Sequence, residues 1–190
     1  SLGQAIEVKI NKVNVNGVTN GFTVHAKGSR DSNSVRDYSA SGFIAKSGST
    51  KIENSHVTNL KSVKAADDGG YASGFVAISK TGGLADVADD TSIKSLIEAN
   101  GLVNAVGYLI PSYQQCYVSY IDNGGVRGDI AGGFVGDFQS GIVENDENNA
   151  YAIQNISYVK GKTYAGGFGG KVYSGALADS TKGISILGGL

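Results

Sequence analysis

The sequence predicts an all-β chain built as a parallel β-solenoid, and three observations carry that expectation. A short phrase centred on phenylalanine returns four times: "SASGFIAKSG" at Phe43, "YASGFVAISKTGG" at Phe75, "IAGGFVGDFQSG" at Phe134 and "YAGGFGGKVYSG" at Phe168. Successive copies are 32, 59 and 34 residues apart, and spacings of this order mark solenoids, propellers or arrays. The apolar runs between copies are short and are broken by Gly, Asn, Asp or Ser, as strands separated by tight turns are.

The elements follow in chain order. "IEVKINKVNV" alternates Ile6, Val8 and Ile10, then Val13 and Val15, the period-two pattern of a strand with one buried face. Each Gly-Phe phrase supplies one ring large enough to fill a layer of an interior, with small neighbours that let backbone turn sharply or approach closely. Stacked copies would put Phe43, Phe75, Phe134 and Phe168 in one aromatic ladder. A second phrase precedes three of them: "KIENSHVTNL" at 51–60, "SYQQCYVSYI" at 112–121 and "YAIQNISYV" at 151–159. It aligns Asn54 with Gln115 and Asn155, amides suited to bonding one another down a stack. It also aligns Cys116 with Ser55 and Ile156, which predicts a small buried side chain there.

The long interval contains an exception. In "DDTSIKSLIEANGLVNAVGYLIP", residues 89–111, Ile93, Leu96, Ile97, Val103, Val106 and Ile110 fall at helical spacing, Asp90 or Thr91 can cap the start, and Pro111 stops the run. Gly101 and Gly107 weaken it by up to ~1 kcal/mol each, so either one helix or two short ones are expected. A helical insertion over residues 84–111, laid against the flank of the solenoid, follows.

Composition removes several classes of function. Sixteen Lys and Arg stand against 17 Asp and Glu, a net charge of −1, which gives no overall basic footprint for nucleic acid. Cys116 is the only cysteine, so neither an internal disulfide nor a thiolate zinc site can form within the chain. No apolar run reaches the ~18 residues of a membrane span. The 29 glycines lack a G-X-Y period and read as turns. The chain contains no methionine and starts at Ser1, and is expected to be one domain, 1–190, excised from a longer protein.

Residues 41–77, "SGFIAKSGSTKIENSHVTNLKSVKAADDGGYASGFVA", resemble the repeat called the GLUG motif, in which Gly-Gly-Leu/Phe-Val-Gly phrases flank an Ile-x-Asn-Ser/Cys-Tyr stretch and a Val-containing strand. The match recurs in degenerate form at 113–136 and 151–170. Phe stands here for the usual Leu, Ser73 for a common second Gly, and the 84–111 segment is extra. The resemblance implies a right-handed parallel β-helix. It also implies a secreted or wall-anchored bacterial surface protein, and hence an extracellular location.

Candidate sites are few. "AADDGG" (Asp67, Asp68) and "ADVADD" (Asp86, Asp89, Asp90) offer carboxylates for a glycosidase, a lyase or a calcium ion, but they fit solvated turns and a helix start better. His25 and His56 lack the company a metal site needs. Arg127-Gly128-Asp129 spells the tripeptide that integrins read. Ten tyrosines could form an exposed recognition strip, and Tyr108, Tyr113 and Tyr117, where the insertion meets the strands, are the expected binding residues.

Together these features lead to the expectation of a non-catalytic stalk or adhesive segment, monomeric within a longer chain, with no cofactor, no metal and no catalytic residues. A host glycan or host protein is its expected partner. The alternatives are a carbohydrate-active β-helix enzyme and a glycan- or calcium-binding module.

Overall fold

The computed structural model describes residues 8–27, 38–67, 69–80, 110–147 and 151–173. They form sixteen strands and, among the described residues, no α-helix. The strands are β1 (Val8–Asn11), β2 (Asn14–Asn16), β3 (Phe22–His25), β4 (Tyr38–Ser41), β5 (Ile44–Ser47), β6 (Thr50–Glu53), β7 (His56–Lys64) and β8 (Gly70–Ser73). They continue as β9 (Val76–Ser79), β10 (Ser112–Gln114), β11 (Tyr117–Gly132), β12 (Val135–Phe138), β13 (Ile142–Glu144), β14 (Ile153–Gln154), β15 (Tyr158–Gly166) and β16 (Gly169–Val172).

All pairing is parallel, in three curled sheets. The first has the order β1-β6-β10-β13 and the third β16-β12-β9-β5. The second contains β2, β7, β11, β8 and β4, with β3 on β7 and with β14 and β15 on β11. The chain visits first, second and third sheet in that order each time, which is why phrases about 33 residues apart become neighbours.

Register converts sequence repetition into columns of like side chains. Ala40, Ala72, Ala131 and Ala165 are in register, as are Val24, Val63, Val126 and Val159. The valines and Ala40, Ala72 and Ala131 belong to or pack against the core, while Ala165, in the last described layer, is exposed. The phenylalanines form the expected ladder: ring centroids are 4.6 Å apart for Phe43–Phe75, 4.8 Å for Phe75–Phe134 and 5.5 Å for Phe134–Phe168, with planes within 9° of parallel. Phe75 and Phe134 are fully buried, while Phe168, in the last described layer, is 38 % exposed.

The glycine before each phenylalanine has a steric cause. A Cβ on Gly42, Gly74 or Gly133 would lie closer than 3.0 Å to the carbonyl oxygen of Gly74, Gly133 or Gly167, the matching glycine of the next layer. These glycines have no left-handed φ, so close approach and not backbone freedom selects them. Among the described residues, a Cβ on Gly167 meets nothing within 4 Å.

The corners use left-handed residues. Lys12 (φ 59°), Asn54 (φ 48°) and Gln115 (φ 53°) follow register partners Asn11, Glu53 and Gln114 and so form one corner column. Asn54 Nδ2 donates to Asn11 Oδ1 at 3.2 Å, an amide contact between adjacent layers. The alignment of Asn155 with Gln115 is corrected: Glu144 pairs with Gln114, so Asn145 follows it at that corner, while Ile153 pairs with Val118 and Gln154 with Ser119. Asn145 takes the backbone's part there, receiving the Cys116 N–H on Oδ1 at 3.1 Å and donating Nδ2 to the Cys116 carbonyl at 3.0 Å.

The helix expected within 84–111 is not seen; apart from Ile110 and Pro111, in irregular backbone, that segment lies outside the described residues, and Tyr108 with it.

Candidate functional site

The outer face of the second sheet carries the exposed chemistry, because alternation along β7, β11 and β15 turns every second side chain outward. Tyr117 sits there. It is in register with His56, and the two rings stack with centroids 4.1 Å apart and planes 23° from parallel. Both are half-buried. Burial holds the His56 imidazole below its usual pKa, and its Nδ1 has no hydrogen-bond partner among the described residues.

Tyr113 is placed differently from a binding residue. It is fully buried, in register with Ile52 and Val143, with its ring edge-on to Phe75 and Phe134 at 6.3 Å. Its hydroxyl is 2.7 Å from Ser79 Oγ, which donates onward to the Ser140 carbonyl at 2.7 Å, and burial pushes the phenol up to about 12. Of the three tyrosines expected to bind, only Tyr117 is therefore placed at the surface among the described residues.

Cys116 is fully buried, with its Sγ directed at the carbonyls of Ile52 (3.5 Å) and Gln114 (3.3 Å). Burial raises its thiol to about 11, which suits packing and opposes nucleophilic chemistry. It pairs in the layers with Ser55, as the phrase alignment indicates, but not with Ile156.

Arg127-Gly128-Asp129 lies within β11 and not on a projecting loop. The Arg127 guanidinium donates both Nε (3.2 Å) and Nη2 (2.8 Å) to the Asp67 carboxylate, whose pKa is held low by that bond. Asp129 receives the Gly69 N–H at 2.8 Å and the Thr163 hydroxyl. Asp67 and Asp129 thus serve pairing between layers; Asp68, Asp86, Asp89 and Asp90 lie outside the described residues. Among the described residues no three His, Cys, Asp or Glu side chains converge as metal ligands would, and His25 and His56 stand at different register positions.

Sequence reading missed a file of basic residues, three cations and a histidine. His25 pairs with Lys64, Lys64 with Arg127, and Arg127 with Lys160, so four basic side chains stand in register on adjacent parallel strands. All four are exposed. Beside them is an open groove of about 600 Å³ lined by Asp67, Arg127, Gly128, Lys160, Gly161 and Lys162. The register slips by one residue between Gly128 and Ile130, and such a bulge bends the strand where the groove runs. Tyr158 flanks the file with its ring over the bare backbone of Gly125, and the Lys160 ammonium lies 5.2 Å from the ring centre.

No helix among the described residues is long and apolar enough to cross a membrane. Comparison with family models, curated proteins and solved structures finds no match to this chain.

Proposed function

We propose that the chain is a right-handed parallel β-solenoid of the GLUG-motif type, a non-catalytic repeat segment of a bacterial cell-surface protein that serves as an extracellular stalk or adhesive surface. The observation that supports this reading best is the use of the repeats: like residues stack on like, and the repeated glycines and phenylalanines are consumed in packing. A solenoid built this way presents its variable side chains as long strips on a face, suited to extended partners. Of the carboxylates that would serve a glycosidase or lyase, Asp67 is engaged with Arg127, and Asp68, Asp86, Asp89 and Asp90 lie outside the described residues.

The test displays residues 1–190 on a non-adherent bacterium and measures attachment to host cells and to a glycan array, alongside turnover of polysaccharides by the purified chain. Attachment or inert display without turnover is expected. Turnover abolished by changing Asp67, Asp68, Asp89 or Asp90 to Asn would overturn the non-catalytic reading.

A further inference from the structure

The structure assigns a ligand class to the cation file: we propose that His25, Lys64, Arg127 and Lys160, with Lys162 beside them, bind a linear acidic polysaccharide carrying one carboxylate per sugar, laid across the strands. This deepens the adhesive reading and rests on it for its biological role.

Geometry argues for the class. Strands in a sheet repeat at ~4.8 Å, so the four register positions span about 14 Å in evenly spaced steps. That step approximates the length of one pyranose residue in an extended chain, so Lys64, Arg127 and Lys160 can each face one uronate, with His25 as a hydrogen-bonding neighbour at the end of the file. Duplex nucleic acid carries one phosphate per strand for each ~3.4 Å of helix axis, a step that does not match the spacing of the file.

Charge agrees. Like charges directly opposed on neighbouring strands destabilise a sheet, so a column of them is an unfavourable arrangement for folding alone. Beside the file, the described carboxylates Asp67 and Asp129 are engaged, Asp67 by the Arg127 guanidinium and Asp129 by the Gly69 N–H and the Thr163 hydroxyl. Asp67 holds the Arg127 guanidinium by two donors in the fork geometry that a ligand carboxylate would use. It thereby occupies the place of a ligand group and competes with it.

The test titrates the purified chain with a hexameric uronate oligosaccharide, a neutral hexasaccharide and a single-stranded oligonucleotide of similar length, by calorimetry at two salt concentrations. The uronate is expected to bind, the neutral sugar not, and the salt dependence to match a few neutralised charges. The triple change Lys64→Gln, Arg127→Gln, Lys160→Gln should weaken uronate binding about tenfold or more, since it removes the charge-assisted hydrogen bonds. Lys9→Gln with Lys51→Gln, a register pair on the first sheet, serves as the control and should change it less than about twofold. Asp67→Asn, which removes the competing carboxylate, should tighten binding by a few-fold. Circular dichroism confirms that each variant is folded. Equal losses in file and control variants, weaker binding by Asp67→Asn, or tighter binding of the oligonucleotide would each overturn the assignment. Absence of uronate binding would overturn it too, while leaving the non-catalytic scaffold standing; cleavage of the oligosaccharide would instead overturn the scaffold reading.

Discussion

Phe75 and Phe134 lie face to face, 59 residues apart in sequence, with ring centres 4.8 Å apart and planes 9° from parallel. The distance is that of neighbouring strands, because each ring rides on its own strand and the strands pair in register from Val76 with Val135 onward. Tyr113 closes the side of the stack by meeting both rings edge-on.

Removing one ring should therefore open a cavity that its neighbours, held by their own strands, cannot close. Phe134→Ala is expected to destabilise the chain by ~3–5 kcal/mol in urea melts. Phe168→Ala, in the half-exposed last described layer, should have less than half that effect. A loss below about 1 kcal/mol for Phe134→Ala would mean that the ring is not enclosed.

The glycine column gives a sharper contrast. Gly133→Ala places a methyl against the Gly167 carbonyl and should destabilise by ~1–3 kcal/mol or more, as overpacking does. Gly167→Ala meets no atom of the described residues within 4 Å and should stay within about 0.5 kcal/mol of the parent. Thermal melts of the two variants compare them; equal effects would contradict layer-on-layer approach at these glycines.

His56 should make stability depend on pH in the mildly acid range. Its folded-state pKa lies below the ordinary 6.5, so on acidification the unfolded chain takes up the proton first. The stability this histidine contributes is present above about pH 6.5 and falls away as pH drops toward its lower folded value. Melting temperatures of the parent should therefore fall more between about pH 7.5 and 5.5 than those of His56→Gln, and identical slopes would count against a lowered pKa at this half-buried imidazole.

Cys116 should resist alkylation while the chain is folded. Burial keeps the thiol protonated at neutral and mildly alkaline pH, with a pKa of about 11, and Ile52 and Gln114 cover the sulfur. Iodoacetamide is expected to label the chain in denaturant and to leave the native protein essentially unlabelled, as mass spectrometry would show. Rapid native labelling would place Cys116 at the surface.

Much of this architecture is legible in the sequence, because repetition of a whole phrase fixes which residues share a column before any strand is located. The phenylalanine ladder and the match of Cys116 with Ser55 follow directly. Asn155 was misaligned because an added stretch between β13 and β14 shifts the last copy, and sequence similarity of the second phrase conceals the shift. Tyr113 reads as a recognition residue by type, yet the same phrase alignment sets it under Ile52, which is the available sign that it points inward. The cation file has no motif. Its members are 39, 63 and 33 residues apart, and bulges in β11 near Tyr120 and Asn123 displace them from any simple period.

The measurement that tests the central claim most directly is disulfide trapping of register partners in a Cys116→Ser background. Lys64, Arg127 and Lys160 occupy matching positions on three successive parallel strands, so adjacent pairs stand at bridging distance while the outer two are about 9.6 Å apart. Lys64→Cys with Arg127→Cys, and Arg127→Cys with Lys160→Cys, should each form an intramolecular disulfide under mild oxidation, and Lys64→Cys with Lys160→Cys should not. Efficient trapping of the 64–160 pair, or failure of both adjacent pairs in folded protein, would contradict the in-register parallel stack on which the whole account stands.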